Sequence, residues 1–133
     1  MLNSSLLLLN SDEAQEIISK CILSNWHIFH IPDNSGTKDG FCSALAENLP
    51  LDPAYDAVCG HNWDALDDSL WGGMDSLSED KILIIWNSAG KMKNNDAHSF
   101  EIVCDIFSNL IVSLSDEKKK KNKPFQLTVI GIV

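Results

Sequence analysis

The chain has 133 residues, 44% of them hydrophobic, with four prolines and a formal net charge of −9. This length and composition fit one folded domain and argue against intrinsic disorder. No arginine is present, and residues 1–117 hold five lysines against all 19 acidic residues. This acidic part of the chain repels the phosphate backbone of nucleic acids and attracts basic partners, so we do not expect nucleic-acid binding.

The cysteines and the N-terminal residues predict that the protein lies in the cytoplasm. The four cysteines lack the CxxC spacing of zinc sites and are typical of buried thiols in a reducing compartment. The N-terminus has a run of four leucines but no basic stretch before it, unlike a secretory signal. We expect no segment to reach the roughly 18 apolar residues of a membrane span. The expectation is a soluble, cytoplasmic protein without membrane contact, metal or cofactor.

The first half of the chain predicts a helix, a strand and a second helix. Ser11 begins a capped helix that runs to Ser24. Aromatic and β-branched residues then predict a strand over 26–31, which ends at a proline-containing turn. A short helix follows over 37–48, and an acidic loop over 50–59 leads into the next element.

The second half alternates helices with apolar strands. A helix capped by Asn62 is expected to be stopped by Gly72-Gly73. Residues 81–86 form a continuous apolar run, typical of a strand covered on both faces. The longest helix is predicted over 96–114, and a last strand over 125–133.

This order of elements predicts an α/β fold in a single domain, residues 1–133. Its sheet should be small, three-stranded and mainly parallel, with helices packed against it.

The helix after Asn62 carries the most informative pattern. At about 100° per residue, its acidic and apolar side chains separate onto two faces. The acidic face holds Asp64, Asp67, Asp68 and Trp71. The apolar face holds Trp63, Leu66 and Leu70. Like charges four residues apart cost a few tenths of a kcal/mol in a helix, so propensity alone does not explain this acidic face.

Three interpretations of the acidic face are open: a solvated surface, a divalent-metal site for phosphoryl chemistry, or a recognition surface for a basic protein. A metal site of that kind also uses cationic groups, which this chain largely lacks. A recognition surface accounts for the carboxylates by charge attraction, and for Trp71 as an exposed indole typical of interface hot spots.

Other candidate sites are weaker. The lysine run over 118–123 is typical of a solvated loop, since a membrane or nucleic-acid role needs a broader basic face. His27 and His30 differ in strand parity and so point to opposite faces. Cys59 and His61 lack companions for a metal site, and no spacing favours Cys59 as a nucleophile.

One motif resembles a known family. Its residues are Gly60, Asn62, Asp64, Ala65, Leu66, Asp68 and Leu70. They are similar to the inhibitory helix of the barstar family, cytoplasmic inhibitors of the ribonuclease barnase, and the order of elements over 26–133 matches as well. The resemblance implies a barstar-like fold with its core in residues 26–133, to which residues 1–25 add an N-terminal helix. The resemblance implies that Asp68 mimics a substrate phosphate in the nuclease active site, and that Asp64 pairs with cations there.

Three departures from the family pattern affect the expected partner. Asp67 stands where the family has tryptophan, Val58-Cys59 replace an aromatic pair, and Asn109 replaces a glutamate on the last helix. The target is therefore expected to differ from barnase itself.

The resemblance predicts a non-enzymatic immunity protein, a monomer that forms a 1:1 complex with a basic protein toxin, a ribonuclease. The expected partner-binding residues are Tyr55, Asp56, His61, Asn62, Asp64, Asp67, Asp68 and Trp71. Two alternatives stay open: a regulatory module that binds a basic protein without inhibiting it, and a small metal-dependent hydrolase.

Overall fold

The computed structural model describes residues 4–54 and 62–133. Within these ranges five helices and four strands follow in order. They are β1 (Ser5–Leu9), α1 (Ser11–Leu23), β2 (His27–Ile31), α2 (Lys38–Asn48), α3 (Trp63–Asp75), β3 (Lys81–Trp86), α4 (Ala89–Asn95), α5 (Ala97–Lys120) and β4 (Gln126–Ile132).

The strands form one sheet in the order β1-β4-β3-β2, and every neighbouring pair is parallel. The predicted α/β fold is confirmed, but the sheet has four strands and not three. The additional strand, β1, pairs with β4 from Ser5 opposite Thr128 to Leu9 opposite Ile132. Residues 1–25 therefore contribute a strand as well as the expected helix. The leucine run has no alternation that would have marked it as a strand, and its pairing partner lies at the far end of the chain.

The two faces of the sheet are covered unequally. Alternate β3 residues enter different cores: Ile82, Ile84 and Trp86 join the larger one, and Leu83 and Ile85 the smaller one. The larger core is completed by α2, α3, α4 and α5, whereas α1 covers the smaller core. This confirms the prediction of a strand covered on both faces, with Ile82 to Trp86 buried and Lys81 exposed at its start.

Part of the lysine run is not a solvated loop. Helix α5 continues through Lys120, and the lysines in its last turn lie where the helix dipole favours positive charge. Lys118 is only 7% exposed, and its Nζ donates to the carbonyl oxygen of Asp75 at 3.1 Å. Its aliphatic stem is buried while its amine ties α5 to the end of α3. The sequence patterns also missed α4, which precedes α5.

Helix α5 is long and apolar enough, by length and composition alone, to cross a membrane. This corrects the expectation that no segment would reach that composition. The core helix of a soluble protein passes the same test, and here Val103, Phe107, Leu110 and Leu114 are buried in the larger core.

Candidate partner-binding site on helix α3

The start of α3 is fixed by its cap. The Asn62 side chain accepts hydrogen bonds from the backbone N–H groups of Asp64 at 2.9 Å and Ala65 at 3.4 Å. These are two of the amides that a helix leaves unpaired at its first turn. The predicted cap is confirmed, and the carboxylate of Asp64 lies where the helix dipole favours negative charge.

The apolar face of α3 holds the helix at one rotation about its axis. Leu66, Leu70 and Met74 are fully buried in the larger core. Trp63 is half-buried, with its ring 6.3 Å from that of Phe41 on α2. The predicted apolar face of Trp63, Leu66 and Leu70 thus lies on the core side, which the structure confirms.

The sequence predicted that Gly72-Gly73 would stop α3, but the helix continues past them to Asp75. Both glycines instead allow the preceding loop to contact the helix. A Cβ atom at Gly72 would meet the carbonyl oxygen of Asp52, and one at Gly73 that of Pro50. The Asp52 N–H also donates to the Ser69 carbonyl oxygen at 2.9 Å. The loop that precedes α3 is therefore packed against the helix at residues 50–52.

Two of the predicted carboxylates are exposed and one is half-buried. Asp64 and Asp68 face solvent, whereas Asp67 is partly covered. Burial raises the pKa of Asp67, and the charges of Asp68 and Asp64 raise it further. Within residues 4–54 and 62–133, none of the three lies within 4 Å of a cationic group. The face thus presents negative charge that the described chain does not neutralise.

Trp71 is half-buried, which corrects the expectation of an exposed indole. Its Nε1 donates to Ser113 Oγ on α5 at 2.9 Å, because α5 packs beside α3. A cleft between the two helices is lined by Asp67, Asp68, Trp71, Asn109, Leu110 and Ser113. Of the three α5 residues in this cleft, only Asn109 was expected near the site from the sequence. The polar pair Asn109 and Ser113, four residues apart on α5, is the signal that could have identified this surface.

Three expected interface residues, Tyr55, Asp56 and His61, lie outside the described residues, as does Cys59. Their part in the site stays a prediction. The described cysteines, Cys21, Cys42 and Cys104, are free thiols, the first two of them buried. In the described ranges, no three His, Cys, Asp or Glu side chains are grouped as a metal site would require.

One cation beside the site, Lys38 on α2, was not expected from the sequence. Lys38 Nζ lies 5.0 Å from the ring centroid of Trp63. A cation over an indole is attracted by the negative face of the ring. Lys38 therefore lies at the α2 margin of the acidic helix.

The fold and site define a small parallel α/β protein that presents an acidic helix face. A family model described as Barstar (barnase inhibitor) matches residues 26–130, so the chain belongs to the barstar family. The matched span leaves out β1 and α1. No curated protein and no solved structure matched the chain.

Proposed function

We propose that this protein is an immunity protein that binds the active site of a ribonuclease toxin and blocks it with α3. Asp68 takes the position of a substrate phosphate, and Asp64 pairs with neighbouring cations of the nuclease. The observation that supports this most is that both carboxylates are exposed and form no ion pair with any residue of 4–54 or 62–133, while Leu66, Leu70 and Met74 on the other face of the helix are fully buried. Family membership supports the same assignment.

The energetics of such a complex favour inhibition without chemistry. Desolvated pairs between a carboxylate and a guanidinium or ammonium group couple by several kcal/mol. The net charge of −9 steers a basic partner towards the protein and speeds its capture. Because the cap and the core already fix α3, little conformational entropy is lost when the carboxylates are bound. The proposal places a monomer in the cytoplasm, in a 1:1 complex with its toxin.

The test measures inhibition of RNA cleavage by barnase and by a panel of other bacterial ribonucleases at equimolar protein. We expect at least one enzyme to be inhibited. Asp68→Asn and Asp64→Asn should each weaken its binding by at least about 30-fold, the lower range for losing one partner of a buried charge pair. The matched control is Asp12→Asn, which removes an exposed carboxylate from α1 on the other side of the sheet.

Unchanged affinity of Asp68→Asn for an inhibited nuclease would contradict this mechanism. Binding of a ribonuclease without inhibition would favour the regulatory module. A rise in melting temperature with Mg²⁺ that Asp64→Asn abolishes would favour the metal-dependent hydrolase. The association rate should also fall steeply between low and high salt, since screening weakens steering.

A further inference from the structure

A groove lies on the other side of the sheet from α3, where α1 meets the amino ends of the strands. It is lined by Ile17, Lys20, Cys21, Ser24, Trp26, Lys81 and Gln126. Its volume is about 470 Å³, within the range of small-molecule pockets. The groove joins α1, which lies outside the family match, to the family core.

The inner part of the groove is apolar. Ile17 and Trp26 are partly buried and pack against the smaller core, and Cys21 is only 2% exposed. Burial raises the pKa of the Cys21 thiol, which keeps this group uncharged at neutral pH. An alkyl chain placed here would leave water for an apolar surface.

The outer part of the groove is cationic. Lys20 comes from α1 and Lys81 from the first position of β3, and both are exposed. Lys20 pairs with Glu16 at 3.8 Å, but both side chains are more than 70% exposed, so that pair is loose. Lys81 forms no ion pair with any residue in the described ranges. Two of the ten lysines of an acidic chain therefore border one apolar groove.

We propose that this groove binds a medium-chain aliphatic carboxylate. The alkyl chain lies along Ile17 and Trp26, and the carboxylate accepts charge-assisted hydrogen bonds from Lys20 and Lys81. The ligand combines an apolar body with one negative charge because the groove combines an apolar interior with a cationic mouth. This site is separate from α3 and does not depend on the proposed nuclease inhibition.

The test titrates the full-length protein with decanoate and follows heat and backbone amide shifts. We expect saturable 1:1 binding, with the largest shifts over residues 17–26 and around Lys81. Acetate, which lacks the chain, and decan-1-ol, which lacks the charge, should bind at least about tenfold more weakly. Absence of saturable binding, or shifts confined to other surfaces, would overturn the proposal. Equal binding of decan-1-ol would overturn the role of the lysines.

Two variants separate the site from general charge effects. The double variant Lys20→Gln with Lys81→Gln should weaken decanoate binding by about tenfold, as expected for two partly exposed ion pairs. Lys93→Gln with Lys120→Gln changes the net charge equally and should leave binding unchanged. Ser24→Trp places bulk in the groove from an exposed position and should abolish binding while the melting temperature is kept. Native affinity in both groove variants would refute the assignment.

Discussion

Helices α1 and α3 have the same length, 13 residues, and both begin after an asparagine cap, yet they are held very differently. Helix α3 buries three large side chains completely, and its glycines admit the loop over residues 50–52. Helix α1 buries only Ala14 and Cys21 fully and leaves Leu23 84% exposed. The two helices thus share their length and their type of cap, but packing fixes α3 on all sides except its acidic face, whereas α1 covers the sheet loosely.

This difference suits two kinds of recognition. A helix held at one rotation can present carboxylates at defined positions to the active site of a protein partner. A helix with few buried contacts leaves space against the sheet, and on α1 that space is the groove beside Cys21. The comparison therefore predicts that changes of the same kind will have unequal effects in the two helices.

The largest effect is expected for truncation of a buried leucine. Leu70→Ala in α3 should lower the free energy of unfolding by about 3 kcal/mol, because it leaves a cavity in the larger core. Leu23→Ala in α1 should change it by less than about 0.5 kcal/mol. Urea denaturation of both variants measures the difference. Equal losses would show that α1 is held as firmly as α3.

The next effect concerns the contact between α3 and its preceding loop. Gly73→Ala should destabilise the protein by about 2 kcal/mol, because the new Cβ meets the backbone of Pro50. Gly40→Ala in α2 is the matched control. Its Cβ meets the Ser35 side chain, which can rotate away, so the gain in helix propensity should offset the contact. Thermal unfolding tests both, and a stabilising Gly73→Ala would contradict the packing described.

The two caps should contribute equally to stability but not to function. Asn62→Ala and Asn10→Ala each remove a side-chain acceptor from a first turn and should each cost about 1 kcal/mol in chemical denaturation. Only Asn62→Ala should weaken binding to the inhibited ribonuclease, because it loosens the turn that carries Asp64. Equal loss of affinity in both variants would place the interface elsewhere.

The smallest effect is a gain in stability. The pKa of Asp67 is raised in the folded protein by burial first and by its acidic neighbours second. As the pH rises from the pKa of this carboxyl in the unfolded chain to its higher pKa in the folded protein, the unfolded chain binds fewer protons than the folded one. The ionisation of Asp67 therefore lowers the stability of the fold. Asp67→Asn should therefore stabilise the protein by about 0.5 kcal/mol at pH 7.

The advantage of Asp67→Asn should vanish below about pH 3, where the carboxyl is protonated in both states. Asp12→Asn in the first turn of α1 should bring no such gain, because Asp12 is exposed and favoured by the helix dipole. Unfolding curves at both pH values check this, and a loss of stability in Asp67→Asn at pH 7 would contradict it.

Local signals in the sequence determined much of this protein. The two-sided burial of β3 follows from its unbroken apolar run, and the position of α3 follows from Asn62 and the spacing of Leu66 and Leu70. The separation of an acidic face from an apolar one is also a property of the sequence, since helical geometry fixes which residues share a face. The barstar resemblance rested on these same residues, and the family match confirms it.

Only the tertiary structure decided which side chains remain exposed to solvent and can contact a partner. Strand β1 exists because β4, more than 100 residues later, supplies its hydrogen bonds. Trp71 and Asp67 are half-buried because α5 lies beside α3, and the groove at Cys21 exists because α1 covers the sheet incompletely. The helical periodicity of a sequence shows on which face of a helix a residue lies. Whether that residue is buried depends on neighbours that are far away in the sequence and that only the folded chain places beside it.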